Sequence, residues 1–362
     1  MVTNTHELFL QLVRLGIGTG TVSSSMFQVP SSIDWQELKA LAEEQGLSAI
    51  VLDGLDKLNE TSLPQELKLE WIGEVLQIEA TYKLHQEVAT DMANLFHRNV
   101  IRTYVLKGRI LSECYPKPNH RVSVDMDCFL LPEQGEFDAW NLGNDLIRAK
   151  GFNVNTDFYK NSSFDLPGLM VENHRFLTPF RGNEKLASLE KVLQALLQAD
   201  KGEDIIEDTW LCRPPVMLSA LFLIEHAYSH FLHEGLTWRM VLDWVMFERK
   251  HKTEMNWSTF NVLIDEFGFL KFYNSYLKLG KFLLCEIEEQ ELDKFDCRML
   301  KDVWSQLDIH ETVRGVKGKL SLVGNTWRAR WKYRCFTEIT WLRALWIQVK
   351  GFLFIKAPKL EY

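Results

Sequence analysis

Two aspartates, Asp125 and Asp127, stand one residue apart in the apolar run "VSVDMDCFLLP". The run alternates as a strand does, and in a strand residues i and i+2 project from the same face. Side-by-side carboxylates repel one another, and a strand interior is a costly place for either. A divalent cation answers both problems. Mg²⁺ (or Mn²⁺) suits the pair, because it takes one or two carboxylates and completes its shell with water and substrate phosphates. A third carboxylate, Glu172 in "LMVENH", falls on a later predicted strand that can pair alongside. Three carboxylates on adjacent strands can hold two ions, the arrangement that activates an attacking oxygen and stabilises a leaving pyrophosphate.

Anion-binding groups lie close by in sequence. "VLKG" closes one predicted strand and opens a helix, so Gly108 lets the backbone approach a ligand and the helix start favours phosphate. Lys107 adds a positive charge, and so does Arg121 just before the Asp pair. Metal-binding and phosphate-binding groups together indicate a nucleoside triphosphate site. Two other readings stand beside it. Asp125 and Asp127 can sit solvated at a strand edge, in salt bridges with Lys107 and Arg121. A DxD pair also marks glycosyltransferases that hold a nucleotide sugar, although those place it after alternating strands and helices, whereas helices precede it here.

Histidines supply a second set of candidates. His174, two residues after Glu172, shares its face and can orient phosphate or acceptor. "EHAYSHFLH" puts His226 and His230 at i and i+4, with His233 one turn on, a spacing compatible with zinc. No HExxH accompanies them. The alternative is a packed histidine pair near the cleft, touching nucleotide or acceptor together with Trp238 and Asp243.

The elements that must position these groups divide the chain in three. Residues 1–99 read as helical, including a long helix from Pro64 to about His97 with an apolar stripe through Trp71, Val75, Ile78, Tyr82, Val88, Met92 and Leu95. Residues 100–180 change period and predict a small mixed sheet with helices on one face, including two or three strands within "FNVNTDFYKNSSFDLPGLMVENHRFL". Residues 181–362 return to helix, near Glu184–Ala199, Pro214–His233, Thr237–Lys250, Trp257–Phe267, Lys271–Glu289 and Thr326–Leu353. The fold class is α+β. A net charge of −8 argues against a general nucleic-acid binder. The end of the chain departs from that average: residues 313–359 carry eleven Lys or Arg against one acid, Glu338. Its stretch "TWRARWKYRCFTEITWLRALWIQVKGFLF" suits an interfacial membrane helix, a nucleic-acid surface with stacking aromatics, or a helix packed on the helical region with its charges in water. Six scattered cysteines without a paired spacing read as reduced thiols of a cytoplasmic protein. No uncharged apolar run reaches membrane-spanning length.

"YVLKGRILSECYPKPNHRVSVDMDCFLL", together with the helical "DWQELKALAEEQGLSAIVLDGL" before it and "LIEHAYSHFLHEGLTWRMVLDW" after it, resembles an uncharacterised bacterial nucleotidyltransferase family of the polymerase-β-like superfamily. The resemblance implies a nucleotidyltransferase core, with Asp125, Asp127 and Glu172 as metal ligands and Lys107-Gly108 as the loop facing the triphosphate. That superfamily usually has Gly-Ser or Gly-Gly in this loop, where this chain has Gly108-Arg109; Arg109 or Lys107 would then take the part of the missing hydroxyl. The expected activity is Mg²⁺-dependent transfer of a nucleoside monophosphate from a triphosphate to an acceptor hydroxyl. The rival expectation is a non-catalytic protein of the same fold that senses nucleotide or binds a partner.

Overall fold

In the computed structural model, the described residues are 3–19, 33–58, 62–305, 329–337 and 340–343. A five-stranded mixed sheet lies between two groups of helices. The strands are β1 (Ile101–Val105), β2 (Asp125–Pro132), β3 (Asn161–Leu166), β4 (Leu169–His174) and β5 (Leu211–Cys212), in the spatial order β3-β4-β2-β1-β5. β1 runs antiparallel to β2 and parallel to β5; β4 runs parallel to β2 and antiparallel to β3. β2 is therefore central, which explains why it is almost wholly apolar apart from its two acids.

Before the sheet come α1 (Asn4–Gly16), α2 (Trp35–Glu44), α3 (Ser48–Leu55) and the 33-residue α4 (Gln65–His97). α1 and α3 cross at very close range. A Cβ on Gly16 would lie 2.1 Å from the Ile50 carbonyl oxygen, and one on Gly54 would lie 2.1 Å from that of Leu12. Of the apolar stripe on α4, Trp71, Val75 and Met92 are buried, and the Trp71 indole donates to the Ser48 carbonyl, tying α4 to α3.

α5 (Arg109–Ser112) is a single turn after β1, and α6 (Ala139–Ala149) follows β2. α4 and α6 cover the sheet face that carries Cys128 and Leu130: Gly143 of α6 packs so tightly that a Cβ there would lie 2.3 Å from Leu130. Asn144 on α6 receives hydrogen bonds from Ser162 and Asn173, fixing the helix to β3 and β4. The acids point to the opposite face.

That face is covered in part by α8 (Val216–His233), flanked by α7 (Glu184–Ala199) and α9 (Trp238–Lys250). α10 (Trp257–Glu266), α11 (Leu270–Leu283), α12 (Lys294–Trp304) and α13 (Arg330–Phe336) complete the described helices. The first helices pack against the last ones. The buried Arg14 guanidinium donates to the carbonyls of Phe282 and Leu283, Gln45 bonds both the Val303 carbonyl and the Trp238 amide, and His6 stacks on Trp304 at 4.1 Å.

Of the two or three strands expected over residues 152–177, two form, β3 and β4, and residues 152–160 add only an isolated bridge from Asn155 to Ser163. Helices lie on both faces of the sheet, not on one as expected. The helix expectations also need correction. The helix predicted over Lys271–Glu289 ends at Leu283, where Leu284 caps it and Cys285 takes a left-handed φ of 61°. The acidic stretch after it ends in the unforeseen α12, whose Asp293 and Asp296 form a reciprocal cap. The single helix predicted over Thr326–Leu353 is broken, because α13 stops at Phe336 and Thr337 is extended (φ −124°, ψ 156°). α13 packs by Trp331 and Phe336 on Phe231, and Lys332 reaches Asp302 at 2.6 Å. Of the remaining basic, tryptophan-rich stretch, residues 340–343 are described and most of the rest, with most of its membrane or nucleic-acid candidates, lies outside the described residues. Among the described residues no helix is long and apolar enough to cross a membrane. All six cysteines are free thiols.

Candidate active site

Strand register assembles the acids. In the β2–β4 pairing Asp127 stands directly opposite Glu172, and Phe129 opposite His174. Side chains paired across a sheet share a face, so Asp125, Asp127, Glu172 and His174 all project toward α8. Residues 45 positions apart in sequence thereby become nearest neighbours. Asp127, at the strand centre, is only 1% exposed; Asp125, at the strand's first residue, and Glu172 remain half-open to the cleft.

Asp127 is held from two sides. His174 Nε2 lies 2.8 Å from Oδ1, and Lys107 Nζ lies 2.9 Å from Oδ2. Burial alone would raise its pKa, but the Lys107 charge and the His174 hydrogen bond outweigh burial and hold the carboxyl well below the usual range. Glu172 goes the other way: burial, then the neighbouring Asp127 charge, raises its affinity for a proton. Asp127, Glu172 and His174 each offer one ligand atom, and these atoms lie within 4.8 Å of one another. Asp125 stands beside them, 3.6 Å from Lys107.

Lys107 follows β1 and sits among the acids. Its ammonium also donates to His226 Nε2 at 3.2 Å. Burial disfavours its charge, yet Asp127 and Asp125 together raise its pKa. His226, partly buried on α8, is driven well below its ordinary pKa by burial and by the Lys107 charge, so it stands as a neutral acceptor. Gly108 has φ 68° and ψ −104°, a conformation that L side chains avoid. This turns the chain sharply away from Lys107 into α5. Arg109 then lines a cleft with Tyr82, His85, Gln86, Ser123 and Asp125. Its Nε is 4.0 Å from Glu113, which is held more closely by Arg213 at 3.0 and 3.1 Å.

Three expected contacts lie elsewhere. Arg121 does not face the acids. Its guanidinium is 3% exposed and forms a two-pronged pair with Asp243 on α9 (2.7 and 2.8 Å), while Nη1 reaches the Gly108 carbonyl at 3.4 Å. Asp243 is accordingly no pocket residue; it also accepts from Tyr115 Oη at 2.7 Å. Trp238 is fully buried against Phe282 and Trp304, away from the cleft. The α8 histidines do not converge on a zinc site: His226 faces Lys107, His230 pairs with Glu234 at 2.8 Å, and His233 lies 3.3 Å from Tyr333 Oη. Of the three, only His226 belongs to the acidic cluster.

Sequence reasoning missed the Arg121–Asp243–Tyr115 network and Arg239, which donates to the Val122 carbonyl at 3.1 Å. Both ties run from α9 to the segment entering β2. Nothing local in the sequence pointed to this network, because Arg121 stands just before Asp125 and Asp127 and its partner lies on α9.

Carboxylates on two adjacent strands, a lysine at their centre and a sharp glycine turn beside them make a pocket suited to metal-chelated phosphates. The chain matches, over residues 31–284, the family described as "Uncharacterised nucleotidyltransferase", and it belongs to that family. No curated protein and no solved structure matches it.

Proposed function

We propose that the protein is a Mg²⁺-dependent nucleotidyltransferase (Mn²⁺ serving in its place), moving a nucleoside monophosphate from a triphosphate to an acceptor hydroxyl. The β2–β4 register carries this reading, because it gathers Asp125, Asp127 and Glu172 on one face beside Lys107. The donor set fits a divalent ion: carboxylate oxygens predominate, and Asp127 keeps its charge although buried. Asp125, Asp127 and Glu172 would hold it, with His174 orienting Asp127. When bound, it neutralises triphosphate oxygens and stabilises the leaving pyrophosphate.

The chain's own groups do the rest. Lys107 and Arg109 contact phosphate oxygens, and the Gly108 turn keeps side-chain bulk off the approach. Arg121, locked by Asp243, holds the Gly108 carbonyl and so sets the loop rather than touching substrate. The acceptor oxygen attacks the α-phosphorus, the bond to the β-phosphate oxygen breaks, and the hydroxyl proton passes to Glu172. The polymerase-β-like architecture belongs to this proposal, as does a cytoplasmic, bacterial setting.

Calorimetry with ATP, CTP, GTP and UTP, with and without Mg²⁺, tests the reading, followed by assay of pyrophosphate release in a cell extract that supplies acceptors. Metal-dependent binding of a triphosphate, abolished in Asp125→Asn/Asp127→Asn, is expected. Absence of metal-dependent binding overturns it. Binding without turnover would favour a nucleotide sensor, and release of a nucleoside diphosphate from a nucleotide sugar would favour a glycosyltransferase.

A further inference from the structure

We infer that Lys107 is a resident counter-ion that keeps free divalent metal off the acidic cluster and gives way only to metal arriving with the phosphates of a nucleotide. The inference rests on the nucleotidyl-transfer reading above and specifies how that site is loaded.

The ammonium makes ion pairs with Asp127 Oδ2 at 2.9 Å and Asp125 Oδ2 at 3.6 Å, and donates a hydrogen bond to His226 Nε2 at 3.2 Å. Its side chain is 14% exposed. Lys107 therefore occupies the space between the two carboxylates, both of which would help hold a metal. A dication entering there meets a like charge at close range, in surroundings where water screens little. To make room, the lysine must surrender two carboxylates, and a largely buried ammonium without acceptors is strongly disfavoured. Bare metal supplies no replacement acceptor. A triphosphate does, since its oxygens can accept from the ammonium while Asp125 and Asp127 would help hold the metal. Metal and nucleotide then bind with positive coupling, each improving the other's affinity by the same factor.

His226 is the positioning residue of this device. It sits across from the carboxylates on α8 and holds the ammonium over Asp127, although it touches neither carboxylate by hydrogen bond. Loss of its imidazole loosens Lys107 while leaving both acids intact.

Mn²⁺ binding is measured by calorimetry and by water-proton relaxation, first with metal alone and then with a triphosphate analogue that carries an α,β-methylene bridge. The wild-type protein is expected to bind Mn²⁺ alone weakly and Mn²⁺ with analogue tightly. Lys107→Met is expected to tighten binding of Mn²⁺ alone by about tenfold or more, the ratio that removal of ~1.4 kcal/mol of repulsion produces. It is also expected to shrink the coupling factor toward one. His226→Ala is expected to move both quantities the same way by a smaller factor. Circular dichroism and thermal melts establish that each variant is folded. If either variant fails to fold, Lys107→Gln and His226→Gln take their places.

Unchanged or weaker binding of Mn²⁺ alone to folded Lys107 and His226 variants overturns the inference. So does a wild-type protein that takes up Mn²⁺ alone as tightly as with the analogue. These failures are distinguishable from failure of the functional reading. If the analogue binds with metal but the variants leave metal-only affinity unchanged, the counter-ion role alone is lost. If no triphosphate binds with metal and Asp125→Asn/Asp127→Asn leaves Mn²⁺ uptake unchanged, the nucleotidyl-transfer reading falls first.

Discussion

Asp243→Asn is the most informative test of how the helical half governs the sheet. Asp243 is buried on α9 and accepts three hydrogen bonds: two from Arg121, at 2.7 and 2.8 Å, and one from Tyr115, at 2.7 Å. Its carboxyl is held below the usual range because the Arg121 charge and hydrogen bonds outweigh a large burial cost. Asparagine preserves the shape but removes the charge and replaces one acceptor oxygen with a donor, so one of the three donors must go unpaired. Breaking a buried pair from one side costs about 3–5 kcal/mol. Because asparagine retains one acceptor oxygen, we expect the lower end, about 3 kcal/mol, which multiplies the unfolded fraction by about 100 or more. Guanidinium unfolding followed by tryptophan fluorescence reads this directly. The double variant Arg121→Met/Asp243→Leu removes both charges and is expected to recover most of the loss, since apolar replacement of a buried pair is often neutral. A loss under about 1 kcal/mol for Asp243→Asn, or a double variant as unstable as the sum of its singles, would refute the argument that this pair is tightly coupled.

Further predictions concern pH and backbone. Burial pushes the Glu225 carboxyl up to about 7. In the window between its unfolded value near 4.5 and about 7 the native state binds the extra proton, so this group's contribution is fully present below the unfolded value and is lost as pH rises to 7. The loss is about 3 kcal/mol, and Glu225→Gln should remove that slope when denaturation is compared at pH 5 and pH 8. Gly54→Ala forces α1 and α3 apart at a 2.1 Å contact and should destabilise by about 1–3 kcal/mol despite alanine's better helix propensity, measured by the same unfolding assay. Gly108→Ala places a side chain at φ 68°, with its Cβ 3.3 Å from Ser123 Oγ. A cost of about 1–3 kcal/mol is expected, together with weakened metal–triphosphate binding by calorimetry.

The acids were legible in sequence because a period-two pattern states their common face without reference to anything distant. Asp125, Asp127 and His174 could each be placed relative to a near neighbour in this way. Glu172 could not be set opposite Asp127 from pattern alone, since register depends on how β2 and β4 pair, and the two residues are 45 positions apart. The fate of Arg121 was hidden for the same reason. A lone arginine before an acidic strand looks like a phosphate contact until α9 supplies Asp243 from 122 residues away. Lys107 reads as a phosphate ligand or, alternatively, as a salt-bridge partner of the acids; the structure shows the salt bridges for Lys107, whereas the other partner of that alternative, Arg121, pairs with Asp243. The start of α7 near Glu184 was legible, and Asn183 caps it in the structure. The end of α11 was obscured because "LLCEIEEQE" keeps favourable helix residues past the point where packing stops.

The clasp between Arg14 and the carbonyls of Phe282 and Leu283 has a consequence for biosynthesis. On a ribosome the first helix emerges long before α11 exists, and for that interval a guanidinium destined for burial has only water as a partner. α1 and α3 can pair early through their glycine contact, but the surface they present stays open until the last helices arrive. The N-terminal region is thus committed to wait, and premature termination anywhere before residue 283 leaves that surface uncovered. Quality-control proteases would meet such fragments as chains with a charged, unclosed seam, while the completed protein hides it.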